Sequence, residues 1–100
     1  MKSRAFTVEE VTYLRFKCAG CDLPHDIPVK RLEGARGVRW DWNNNEEAPT
    51  LTPSCKTVWN YGSPPRGSIC HFTLTDGVQQ FHADDTSKPN QLLPLPELVE

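Results

Sequence analysis

Cys18-Ala19-Gly20-Cys21 sets two thiols on a tight turn with two residues between them. As thiolates such a pair can chelate one metal ion, and zinc asks for about four ligands of this kind in a tetrahedron. The chain holds four cysteines and three histidines, so the other ligands must come from a short list. Cys70 and His71 are adjacent, and His25, His82 and Cys55 follow them. Cys70 is the firmest third ligand. The fourth stays open at this point, because strand alternation sends Cys70 and His71 to opposite faces unless the strand is bulged. His25 could ligate, or could hydrogen-bond a cysteine sulfur. Cys55 reads as core, where a free cysteine behaves as a small hydrophobe. Zinc is favoured because thiolate and imidazole suit it and it carries no redox hazard.

Two other chemistries compete for the pair. A redox Cys-x-x-Cys needs a βαβ setting that the sequence lacks, and a disulfide needs an exported chain. Asp84-Asp85 reads as a solvated turn, and no catalytic residue is assigned. A metal-dependent hydrolase would need an open metal position with a nearby acid or base, for which His25, His82 and Asp84 are the candidates. Trp40, Trp42 and Trp59 read first as packing, with a stacking surface for a base or sugar as the functional alternative.

The elements that position these residues are strands. Leu14, Phe16 and Cys18 alternate with Tyr13, Arg15 and Lys17 in a strand within residues 8–18 that runs into the knuckle. Residues 7–11 are compatible with one helical turn. Val29 to Leu32 is a brief strand, and Gly34 to Gly37 a loop. Val38, Trp40 and Trp42 form an aromatic strand face ended by Asn43-Asn44-Asn45. Pro49 and Pro53 make an extended stretch poor at central pairing. Residues 54–61 form a strand, and 62–67 a Pro/Gly loop. Asp76-Gly77 between apolar runs is a two-residue hairpin signal. That turn sets Thr75 against Val78, Leu74 against Gln79, Phe72 against Phe81 and His71 against His82. The tail through Leu92-Leu93-Pro94-Leu95-Pro96 is extended and packs across an edge.

One hundred residues with 37% hydrophobic content, nine prolines and six glycines make one loop-rich domain with a thin core. A metal staple is the usual remedy. The fold expected is mainly β, a small single domain over residues 1–100 built of antiparallel hairpins around a zinc-knuckle-like site, with little or no helix. Its core spans about residues 8–85, with an extended tail over 86–100. The net charge of −2, without a basic stripe, disfavours nucleic acid. No apolar run spans a membrane, and Met1 to Phe6 lacks the apolar core of a signal peptide, so a cytoplasmic chain is expected.

The layout resembles a family of small proteins of tailed phages and Mu-like prophages, the domain of unknown function 6527. The residues that carry the resemblance are Cys18-Ala-Gly-Cys21 with His25, Trp40-Asp-Trp42-Asn43, Pro49-Thr-Leu-Thr-Pro53-Ser54, Cys70-His71-Phe72, Asp76-Gly77 and Phe81. It covers about residues 13–96. Where members carry D-C-T-H, this chain has Asp84-Asp85-Thr86-Ser87, so that Cys and His supply no ligand here. The surviving Cys70-His71 implies His71 as fourth ligand, with His25 as the alternative. The resemblance implies no reaction.

Together these readings give the expectation of a phage-type or prophage-type accessory protein, bacterial or phage-encoded, with a structural zinc site and an unidentified protein partner. A zinc-dependent nucleic-acid module and a small metal-dependent hydrolase are the alternatives.

Overall fold

The computed structural model describes residues 1–31, 37–59 and 68–98, all of them strand, turn or irregular backbone. The first sheet has the order β1-β2-β3, with β1 over Ser3–Val8, β2 over Val11–Lys17 and β3 over Pro24–Lys30. The second has five strands in chain order: β4 (Asp41–Trp42), β5 (Leu51–Trp59), β6 (Ser68–Thr75), β7 (Val78–Phe81) and β8 (Leu92–Pro94). Every pairing is antiparallel. The expected mainly β architecture of antiparallel hairpins is what the chain forms.

The two sheets pack inner face to inner face. Leu14, Phe16 and Cys18 from the first meet Cys55, Cys70, Phe72, Leu74 and Phe81 from the second, all buried. Phe16 and Phe72 meet edge to face with centroids 5.9 Å apart, a favoured aromatic geometry. A period of two therefore decides the second sheet. On β6, Cys70, Phe72 and Leu74 point inward, which sends His71 and Thr73 to the opposite face.

The Asp76-Gly77 turn fixes the register as its sequence demands. Both residues have positive φ, 48° and 77°, the backbone of a hairpin turn that matches strand twist. The pairs Thr75 with Val78, Leu74 with Gln79 and Phe72 with Phe81 follow. The tail does lie across an edge, with β8 pairing to β7.

Elsewhere the structure differs from the local reading. Residues 7–11 are not a helical turn. Glu9 and Glu10, both at positive φ, turn β1 back onto β2. The aromatic strand shrinks to Asp41–Trp42, and Val38 stays largely exposed. β3 begins at Pro24, earlier than Val29. The buried set reaches past residues 8–85, since Ser3 and Leu95 are both buried. Leu32, Gly34, Tyr61 and the 62–67 loop lie outside the described residues, as does the side chain of Trp59. Among the described residues no helix is long and apolar enough to cross a membrane.

Candidate functional site

Two constellations lie back to back across β6. The first faces the core. Cys18 and Cys21 come from the turn after β2, His25 from β3 and Cys70 from β6, and their donor atoms all lie within 4.8 Å of one another. Cys18 Sγ and Cys70 Sγ are 3.5 Å apart, Cys21 Sγ and His25 Nε2 3.4 Å, and Cys70 Sγ and His25 Nε2 3.7 Å. A tetrahedral zinc with the usual bond lengths separates its donors by about 3.5–3.8 Å. The four residues fit such an ion, and the four cysteines form no disulfide.

The surroundings prepare thiolates. Gly20 N–H and Gln79 Nε2–H donate to Cys18 Sγ at 3.4 and 3.3 Å, while Ala19 N–H donates to Gln79 Oε1 at 2.8 Å. Gln79 is fully buried, so the hairpin strand β7 holds the knuckle through one amide. Gly20 is required by packing, because a Cβ there would sit 2.7 Å from the Phe81 ring. Hydrogen bonds from Cys21 and then Cys70 hold Cys18 well below the ordinary thiol range. Hydrogen bonds with Cys18 and then Cys21, together with burial, push Cys70 up. Burial lowers His25, but hydrogen bonds to Cys18 and Cys21 outweigh it and raise the imidazole to about 9. An arriving cation displaces that proton.

Two candidates were expected for the fourth ligand, His71 and its alternative His25. His25 stands in the group, and His71 does not. The reason is the strand alternation itself: β6 runs regularly through Cys70 and His71, without the bulge that would let both face one ion. Cys55 is core, as expected, and burial followed by the nearby Cys18 charge pushes its thiol up to about 12.

The second constellation is on the outer face. Ser54 Oγ lies 3.3 Å from His71 Nε2, and His71 Nδ1 lies 2.7 Å from Asp84 Oδ1. Ser54 sits where β5 is irregular. Four steps along β5, from Leu51 to Cys55, oppose only two on β6, from Leu74 to Phe72. The bulge aims Ser54 at the histidine. Trp40 Nε1–H donates to the Ser54 carbonyl at 3.3 Å and pins the bulge from behind. Lys56, opposite His71 on β5, reaches the other Asp84 oxygen at 3.1 Å. Bonds from His71 and then Lys56 hold the Asp84 carboxyl below its usual range.

Asp84 owes its place to its neighbour. Asp85 is buried; its Oδ1 accepts from His71 N–H at 2.9 Å. Its Oδ2 accepts from Ser87 N–H, Ser87 O–H and Lys88 N–H at 3.0, 2.9 and 2.7 Å. The loop expected to be solvated is thus tied to β6. Asp85→Ala strands several donors. We expect it to cost on the order of 2–4 kcal/mol, read as a lower urea midpoint at unchanged slope.

Sequence reading assigned no catalytic residue, did not single out Ser54, and named Asp84 only as a candidate acid or base beside a metal. Their signal was present as a serine after Pro53, a histidine after Cys70 and an acid after the hairpin. Only folding brings the three together. His82 stacks on His71. Trp40 and Trp42 are half-buried against the core, and Trp42 Nε1 has no partner among the described residues.

Chemically, the outer constellation is a serine, a histidine and a carboxylate in hydrogen-bonded series, the geometry of an activated nucleophile. A family profile described as "Bacterial ubiquitination-like system serine protease (BubE)" matches residues 1–82. The chain belongs to that family. The matched span contains Ser54, His71 and all four members of the Cys/His group, and Asp84 follows two residues beyond it. No curated protein and no solved structure matches the chain.

Proposed function

We propose that this member of the BubE family is a serine hydrolase, a protease serving a bacterial ubiquitination-like system, with Ser54 as nucleophile, His71 as general base and Asp84 as the carboxylate that orients it. The observation that carries the reading is the series Ser54 Oγ to His71 Nε2 to Asp84 Oδ1, at 3.3 and 2.7 Å. Asp84 accepts from Nδ1–H, which leaves Nε2 free to take the Ser54 proton. The Ser54 oxygen attacks the scissile carbonyl carbon, and the proton passes by way of His71 to the leaving amine as the C–N bond breaks. Water, deprotonated in turn by His71, releases the acyl group and restores Ser54. The protein whose peptide bond is cut is the partner. This adds a reaction to the partner-binding role expected from sequence.

The Cys18, Cys21, His25 and Cys70 group takes zinc in this reading. An ion held by these four residues would supply a cross-link between the two sheets and no reacting atom, since four protein donors satisfy zinc's usual shell. The resulting staple fixes β6, and with it His71, the residue beside Cys70.

The test is direct. Treatment with a fluorophosphonate, followed by peptide mass spectrometry, is expected to place one adduct per chain on Ser54. Elemental analysis of the same sample is expected to give one zinc per chain. An adduct elsewhere, or none, sinks the hydrolase reading, and absence of zinc from protein made in zinc-replete medium sinks the staple.

A further inference from the structure

The hydrogen bond that orients His71 is weakly protected. Asp84 is 41% exposed and shares its carboxylate with Lys56. Water competes for an exposed pair of this kind, which is worth little by itself. The imidazole also turns about a terminal torsion with a broad, two-fold profile. A modest swing would break its contacts with Ser54 and Asp84 together.

His82 stands where it stops that swing. Its ring lies on the His71 ring with centroids 3.9 Å apart and planes inclined by 16°. It is itself held on several sides. Its N–H donates to the His71 carbonyl at 2.9 Å, its Nε2 is 2.9 Å from Thr73 Oγ1, and its carbonyl accepts from Asp85 N–H at 3.1 Å. Thr73 shares the outward face of β6 with His71, two residues on. The stacked ring is thus anchored to the strand that carries the base, and the backbone of His82 to that strand and to the loop that carries the carboxylate.

We propose that His82 is a positioning residue that keeps the His71 imidazole in the plane joining Ser54 to Asp84, through ring stacking anchored by Thr73. The inference rests on the hydrolase reading. It does not require His82 to touch substrate or to exchange a proton.

The probe is a fluorophosphonate, and the readout is its rate of reaction with Ser54. His82→Ala is expected to slow labelling on the order of tenfold to a hundredfold, the usual cost of a misplaced catalytic group. His82→Phe keeps a ring and is expected to restore the rate to within about threefold, whereas His82→Leu is not. Thr73→Val is expected to slow labelling severalfold by freeing the His82 ring. The proton on His71 Nδ1, followed by NMR, is expected to be sharp in the wild type and His82→Phe and broadened by exchange in His82→Ala. Wild-type labelling rates in His82→Ala overturn the proposal. So does a His82→Leu protein that reacts as fast as His82→Phe. If His82→Ala does not fold, Thr73→Val at the wild-type rate overturns it. A wild-type protein without label on Ser54 overturns the hydrolase reading first, so the two failures are distinct.

Discussion

Ser54→Ala is expected to lower hydrolysis of an activated ester such as p-nitrophenyl acetate by at least about a thousandfold while leaving the fold intact. The first half follows from chemistry, since alanine has no oxygen to acylate. The second follows from the site. Ser54 is half-buried, and among the described residues its hydroxyl bonds only His71, at 3.3 Å. The backbone contacts that hold the bulge, including the Trp40 bond to the Ser54 carbonyl, survive the change. Thermal stability should shift little, as for most partly exposed substitutions. His71→Ala is expected to cost about as much activity, and the double variant little more than either, because the two act as one unit. Additive losses, or a Ser54→Ala protein that still turns over ester at the wild-type rate, would remove the triad from the mechanism.

Zinc removal is expected to have the largest effect on the fold. The four donors come from the turn after β2, the strand β3 and the strand β6, so an ion held there would tie the first sheet to the second. The cross-link replaces part of the core that a chain of this size lacks. Structural zinc in small domains contributes on the order of 10 kcal/mol, comparable with the whole stability of a typical domain. Cys70→Ser is therefore expected to yield a metal-free, largely unfolded chain, seen as lost near-ultraviolet dichroism. A strong chelator should do the same to the wild type, and zinc should reverse it. Ester hydrolysis should vanish together with the fold and return with it. Hydrolysis lost to chelator while the dichroism persists would instead make the metal a catalyst.

The fourth ligand has its own discriminating pair. His71→Ala should keep one zinc per chain, since His71 lies outside the group, whereas His25→Ala should lose it. Retention by His25→Ala with loss from His71→Ala would reverse the assignment.

Local chemistry in the sequence was enough for much of this. The Asp76-Gly77 turn dictated the β6–β7 register, because only glycine-compatible backbone closes a two-residue hairpin with the right twist. Alternation placed Cys70, Phe72 and Leu74 inward, and the Cys18-x-x-Cys21 spacing announced a chelating knuckle. The family profile over residues 1–82 is described by a serine protease reaction, which the motifs had not suggested.

What the tertiary structure decided is which residues meet. His25 and His71 were both candidates on type and spacing; β3 carries His25 beneath Cys70, while the regular pleat of β6 turns His71 away. That same turning away makes His71 available to Ser54, which a bulge in β5 aims at it, and to Asp84, which Asp85 holds in place. Serines and aspartates are common on surfaces, and none of the three neighbours another in sequence. Seventeen positions separate Ser54 from His71 and thirteen separate His71 from Asp84. The cysteine pair was legible because only two residues separate its partners on one turn. The triad was not, because its geometry exists only after two sheets, one bulge and one buried carboxylate have fixed it.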